Sequence, residues 1–140
     1  MNYDEAQQLL NKKFIYLSDT TGEKWTILDV DTDKGVYGDC EDYSLTLAYL
    51  VEDESYIKFW WSFITFKHVI WQGKTPGGQP HAFMWTRGVG WTDNITKEPK
   101  TKEQMKALGY KFWWPIVVPL MIAKFALRPL FYLINKLTGY

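Results

Sequence analysis

Apolar residues recur at three- and four-residue steps in two stretches near the start of the chain, the period of a helix with one buried face. In residues 3–17, Ala6, Leu9, Leu10, Phe14 and Leu17 share a face and Gln7, Gln8, Asn11 and Lys12 lie elsewhere, which predicts an amphipathic helix. Turn formers follow from Ser18 to Glu23, and Trp25 to Val30 reads as a short strand or an extended loop. A second turn-rich stretch, Asp31 to Gly38, leads into Tyr43, Leu47, Leu50 and Val51, again at helical spacing. Asp39 is placed to cap that helix, with Asp42 three positions on, and Cys40 becomes its first residue.

The pattern then changes character. Residues 56–65 are aromatic and β-branched without a deciding period, and Phe66–Trp71 reads as a strand. Lys74 to Pro80 is a loop, and a hairpin is expected beyond it, with Thr86-Arg87-Gly88 as its turn. That register pairs Trp85 with Val89, Phe83 with Trp91 and His81 with Asp93, all on one face, which brings an imidazole and a carboxylate within hydrogen-bonding reach. A slip of one residue would present Asn94 instead. Residues 97–106 are polar and basic, a surface pattern, and the chain is apolar from Phe112 onward with Pro115, Pro119 and Pro129 interrupting it.

Residues 112–137 have the greasiness of a membrane span, but Lys124 and Arg128 would sit near its centre at a cost of about 2.5–3.5 kcal/mol each. On a helix from Leu120, the residues Lys124, Arg128, Tyr132 and Asn135 make one polar stripe beside an apolar face that includes Phe125 and Phe131. The expectation is an amphipathic extension, residues 116–140, following a domain of residues 1–115. It either packs on that domain or docks, through Lys124, Arg128, Phe125 and Phe131, on a membrane surface, a partner or a second copy.

Composition adds charge segregation. The net charge is zero, yet residues 1–55 carry 13 acidic and 4 basic side chains, while residues 56–140 carry 3 and 12. The simplest reading is one half complementing the other; overall neutrality makes a nucleic-acid partner unexpected. One cysteine excludes an internal disulfide framework, and the acidic N-terminus has no signal-peptide pattern, so synthesis in a cytoplasm is expected. One cysteine and two histidines fall short of the four ligands of a structural zinc site, so neither metal nor cofactor is expected.

Cys40 has two open readings: a buried inert thiol, or a nucleophile. The helix start favours its thiolate, whereas Glu41 and Asp42 disfavour it. A thiolate nucleophile needs a base and a group that orients the base, and His81 and Asp93 supply that pair. His68, with no evident partner, reads as structural.

The run Gly38-Asp39-Cys40-Glu41-Asp42-Tyr43, then His81-Ala82, then Trp91-Thr92-Asp93-Asn94, resembles the transglutaminase-like cysteine peptidases of bacteria and bacteriophages, within the papain-like and transglutaminase superfamily. The resemblance covers roughly residues 15–115, with Leu108-Gly109-Tyr110-Lys111 as a closing strand; the Trp-rich residues 59–61 and the C-terminal extension lie outside the pattern. It implies an α+β fold with the Cys-bearing helix packed on a small antiparallel sheet. It also implies Cys40 as nucleophile, His81 as base and Asp93 as its orienter, with Gly38, Asp39, Glu41, Asp42 and Asn94 as supporting motif. The implied chemistry is acyl transfer from an amide of a protein or cell-wall peptide, through a thioester. The Cys40 amide would be one oxyanion donor, and Trp25, Tyr37 and Gln79 are candidates for the other. The alternative is a non-catalytic virion or assembly component that keeps the fold and binds through its aromatic surface and C-terminal helix. On either reading the protein would be made in a bacterial cytoplasm, and virion-associated or peripheral to the membrane.

Overall fold

A computed structural model describes residues 2–16, 27–30, 35–96 and 98–126, the last four by backbone alone. The first helix, α1 (Tyr3–Lys13), is capped by the Asn2 side chain and stops short of the predicted end. Phe14–Tyr16 forms β1 instead, pairing in parallel with β2 (Val36–Gly38). The second helix, α2 (Cys40–Val51), begins and ends where its apolar spacing predicts. Its start is a reciprocal capping box: Asp39 Oδ1 accepts from the Asp42 amide at 3.1 Å and Asp42 Oδ2 from the Asp39 amide at 3.3 Å. The undecided stretch is a helix, α3 (Tyr56–Ile64), capped by Ser55.

Three antiparallel strands follow: β3 (His68–Lys74), β4 (Pro80–Thr86) and β5 (Gly90–Thr92). Next come a short helix α4 (Lys102–Leu108), the strand β6 (Lys111–Ile116) and α5 (Val118–Ala126). Strand order is β5-β4-β3-β6. The fold is therefore mixed helix and sheet, α+β, with an antiparallel four-stranded sheet.

Alternation along β4 divides the interior in two. Ala82 and Met84, with Ile70 of β3 and Ile116 of β6, face Leu10 of α1, Leu45 and Leu47 of α2 and Phe59 of α3 in the main core. Phe83 faces the other way, into an aromatic cluster with Trp91, Met105 and Tyr110, edged by Trp71, Trp85 and Phe112. Ring-to-ring distances of 4.6–6.3 Å at steep angles join these aromatics edge to face.

The polar run 97–106 is largely exposed where described, as expected, and within it Thr101 and Gln104 form a capping box that starts α4. Two sequence expectations change. The closing strand begins at Lys111, because Gly109 at φ 103° ends α4 in a left-handed cap. The hairpin turn is Arg87-Gly88-Val89, so Trp85 pairs with Trp91 and Met84 with Thr92.

The extension starts inside the domain. β6 runs across position 115, Met121 on α5 is fully buried, and Val118 packs on the main core. Lys124 and Phe125 lie on α5 with undescribed side chains, while Arg128 and Phe131 lie outside the described residues. Among the described residues no helix is long and apolar enough to cross a membrane.

Candidate active site

Cys40 sits at the first position of α2, where β2 hands the chain to the helix. The approach is tight: a Cβ on Gly38 would lie 2.9 Å from the Asp42 Cβ and 3.0 Å from the Leu28 Cδ1, so only glycine lets the chain enter the capping box this closely. The Tyr43 amide bonds the Asp39 carbonyl, and the box occupies the amides of Asp39 and Asp42. The Cys40 N–H makes no hydrogen bond among the described residues.

The sulfur is 3.3 Å from the amide nitrogen of Ala82, which donates to it, and its own proton points to Glu41 Oε2 at 3.4 Å. Cys40 is 8% exposed. Burial, then the charge of Glu41, push the thiol pKa up, and the Ala82 hydrogen bond only partly offsets them. The helix-start effect does not prevail, and the resting form is the neutral thiol. Glu41 is itself pushed up to about 8, by burial and by Asp39.

His81 and Asp93 meet as the sequence predicts, by a different route. The observed register is two residues away from the predicted one. Continued beyond β5, it sets Asp93 opposite Phe83 and diagonal to His81. A two-residue shift preserves the face, and diagonal neighbours remain within reach of long side chains. His81 Nε2 lies 2.9 Å from Asp93 Oδ2, with both residues buried. The amides of Ile95 and Thr96 donate to Asp93 Oδ1 at 3.1 and 2.7 Å. Burial alone would raise the Asp93 pKa; the hydrogen bonds from His81 and Thr96 outweigh it and hold the carboxyl below its ordinary value. An ionised Asp93 can only accept, so Nε2 carries the proton and Nδ1 is the basic nitrogen. The imidazole is flanked by Phe83 and Tyr110, with ring centroids 6.1 and 6.2 Å away.

Cys40 and the His81–Asp93 pair thus lie at the same end of β4, with the Ala82 backbone between them. No hydrogen bond joins sulfur to imidazole, because alternation turns Ala82 toward α2 and His81 toward the aromatic cluster. Asn94 Oδ1 is buried without a hydrogen-bond partner among the described residues. Of the oxyanion candidates, Trp25 lies outside the described residues, Tyr37 is exposed, and the Gln79 backbone N–H donates to Thr75 Oγ1.

Two features escaped the sequence reading. His68 has partners after all: Nδ1 lies 2.9 Å from Thr86 Oγ1, and Nε2 lies 3.0 Å from Glu52 Oε2, which also accepts from Lys67 at 2.7 Å. Burial outweighs Glu52 and lowers the His68 pKa, so this ring is a neutral structural link between α2 and the sheet. Tyr110 is the other; it signals itself only as an aromatic after a helix-ending glycine. An apolar cavity of about 360 Å³, lined by Phe63, Trp71, Trp85 and Ile116 among others, involves none of Cys40, His81 and Asp93. Among the described residues no three His, Cys, Asp or Glu side chains group as a metal would need. No family model, curated protein or solved structure matches this chain.

Proposed function

We propose that the protein is a cysteine-dependent acyl-transfer enzyme of the transglutaminase-like type, hydrolysing an amide in a protein or cell-wall peptide on a papain-like core. The observation that carries this reading is the buried 2.9 Å His81–Asp93 bond, one residue from the amide that holds the Cys40 sulfur. Cys40 Sγ adds to the amide carbonyl carbon as its proton passes to His81 Nδ1. The Cys40 N–H, uncommitted within the cap, faces the developing oxyanion. The C–N bond then breaks, and His81 returns the proton to the leaving amine. Water attacks the thioester, its proton goes to His81, and the acid leaves as the thiol is restored. Asp93 fixes the ring tautomer throughout. This mechanism requires His81 Nδ1 to come within hydrogen-bonding reach of the sulfur past the Ala82 backbone when substrate binds, as catalytic hydrogen bonds need not be formed in the free enzyme.

The test is alkylation of the sole cysteine by iodoacetamide across pH. Burial and Glu41 keep the sulfur protonated, so reaction near pH 7 depends on a base. His81→Ala should slow it at neutral pH by about tenfold or more, in the range of general-base contributions, and converge with wild type at high pH. Superimposable profiles would leave Cys40 an ordinary thiol and remove the enzyme reading.

A second reading, a non-catalytic assembly component, draws support from a different observation. Cys40 has no hydrogen bond to the imidazole, and Trp61 and Trp114 are 65% and 53% exposed. In this reading the aromatic surface and the C-terminal tail bind partners, and the tail docks on a membrane surface or a second copy.

A further inference from the structure

Beside the His81–Asp93 pair, Tyr110 is the wall between the candidate centre and a shallow groove of about 500 Å³ lined by Lys102, Lys106, Tyr110, Lys111, Phe112 and Trp113. Tyr110 contacts the His81 ring on one side, and its phenol is pushed up by burial and by the charge of Asp93. Lys102 and Lys106 stand one helical turn apart on α4, and Lys111 opens β6 across the Gly109 cap. All three are exposed. None forms an ion pair among the described residues, and the neighbouring Glu103 pairs with none of them. Lys102 Nζ lies 5.5 Å from the Phe112 ring centre, and at the margin Lys74 Nζ lies 5.4 Å from the Trp113 ring centre.

Among the described residues, Glu52 of the acidic half pairs with Lys67 of the basic half, and that pair does not line the groove. Three exposed ammonium groups, without an ion pair among the described residues, beside aromatic rings form a surface that attracts anionic, extended chains. The adjoining centre is suited to amide chemistry.

We propose that this groove binds an acidic polypeptide segment, placing side-chain carboxylates against Lys102, Lys106 and Lys111 beside the His81–Asp93 pair. The substrate class is therefore an acidic peptide; the proposal rests on the acyl-transfer reading for the word substrate, though not for binding.

The experiment uses the full chain carrying Cys40→Ala, so that nothing is consumed, and reads fluorescence anisotropy. The probes are a labelled peptide of alternating glutamate and alanine, its glutamine and lysine counterparts, and an oligothymidine of equal charge. The acidic peptide should bind about tenfold or more tightly than the glutamine one, as expected of several exposed charge pairs, and weaken with added salt. Lys102→Gln, Lys106→Gln and Lys111→Gln combined should abolish that preference, and Lys106→Glu with Lys111→Glu should transfer it to the lysine peptide. Equal binding of acidic and glutamine peptides, no effect of the lysine changes, or tighter binding of oligothymidine would each overturn the proposal. Acidic-peptide binding together with an ordinary thiol in the alkylation test would keep the groove and remove the enzyme. A His81-dependent thiol with no acidic preference would remove the groove alone.

Discussion

Glu41 is the residue on which the chemistry of Cys40 turns. It accepts the thiol proton at 3.4 Å, and its charge is the second cause, after burial, of the raised thiol pKa. Its own pKa moves from 4.5 to about 8, which has a definite sign for stability. A carboxyl that holds its proton more tightly in the fold stabilises the fold fully below the unfolded value, and the contribution is lost as pH rises toward 8. Glu41→Gln keeps the neutral shape and removes the titration. The variant should match wild type near pH 4 and exceed it near pH 8 by on the order of 1 kcal/mol, measured by thermal melts at both pH values. Its alkylation profile should also move to lower pH, since one charge opposing the thiolate is gone. Equal melts and an unmoved profile would mean that Glu41 has no hold on the sulfur.

At the scale of elements, the sheet depends on one close approach. β3 and β6 meet across a bulge between Gln72 and Gly73, where a Cβ on Gly73 would fall 1.9 Å from the Lys111 carbonyl oxygen and 2.9 Å from the Phe83 ring. Gly73→Ala should therefore part β6 from the sheet and cost about 1–3 kcal/mol in denaturant unfolding. Gly77→Ala, whose nearest atom would be 3.8 Å away, is the control and should cost little. This requirement was not legible beforehand, because β6 approaches from residues 111–116, distant in sequence. What local chemistry specifies was readable: the Asp39–Asp42 capping box, both ends of α2 and the presence of the hairpin. The hairpin register was not, since Gly88 and Gly90 both take positive φ and either could end the turn. The His81–Asp93 pairing survived that error because it depends on the face, which a two-residue shift leaves unchanged. Phe14-Ile15-Tyr16 was misread for the converse reason. Its apolar residues continue the helical period of α1, and only the distant Val36–Gly38 strand draws them into parallel pairing. The link from His68 to Glu52 was hidden likewise, across sixteen residues and two elements.

For the whole molecule, the question is where the domain ends and the C-terminal tail begins. Ile116 and Met121 are 4% and 0% exposed in the main core, so α5 contributes to the fold before the chain reaches the tail. A deletion starting at position 119 would confuse the two roles by removing Met121. Two changes separate them. Met121→Ala in the full chain should lower stability by about 2–5 kcal/mol, the cost of truncating a buried methionine, and leave any attachment to vesicles or to a second copy unchanged at temperatures where the variant is folded. Ending the chain after Ala126 keeps Met121 and removes Arg128 and Phe131. If the tail docks, this shorter chain should unfold within a few degrees of the full one but lose binding to anionic vesicles in flotation, or lose mass in light scattering. Because docking through Lys124 and Arg128 is partly electrostatic, the vesicle interaction of the full chain should also weaken between low and moderate salt. If vesicle binding and mass are unchanged after Ala126 while the melting temperature falls sharply, the tail belongs to the domain, and partner binding would rest on the lysine groove and the exposed tryptophans.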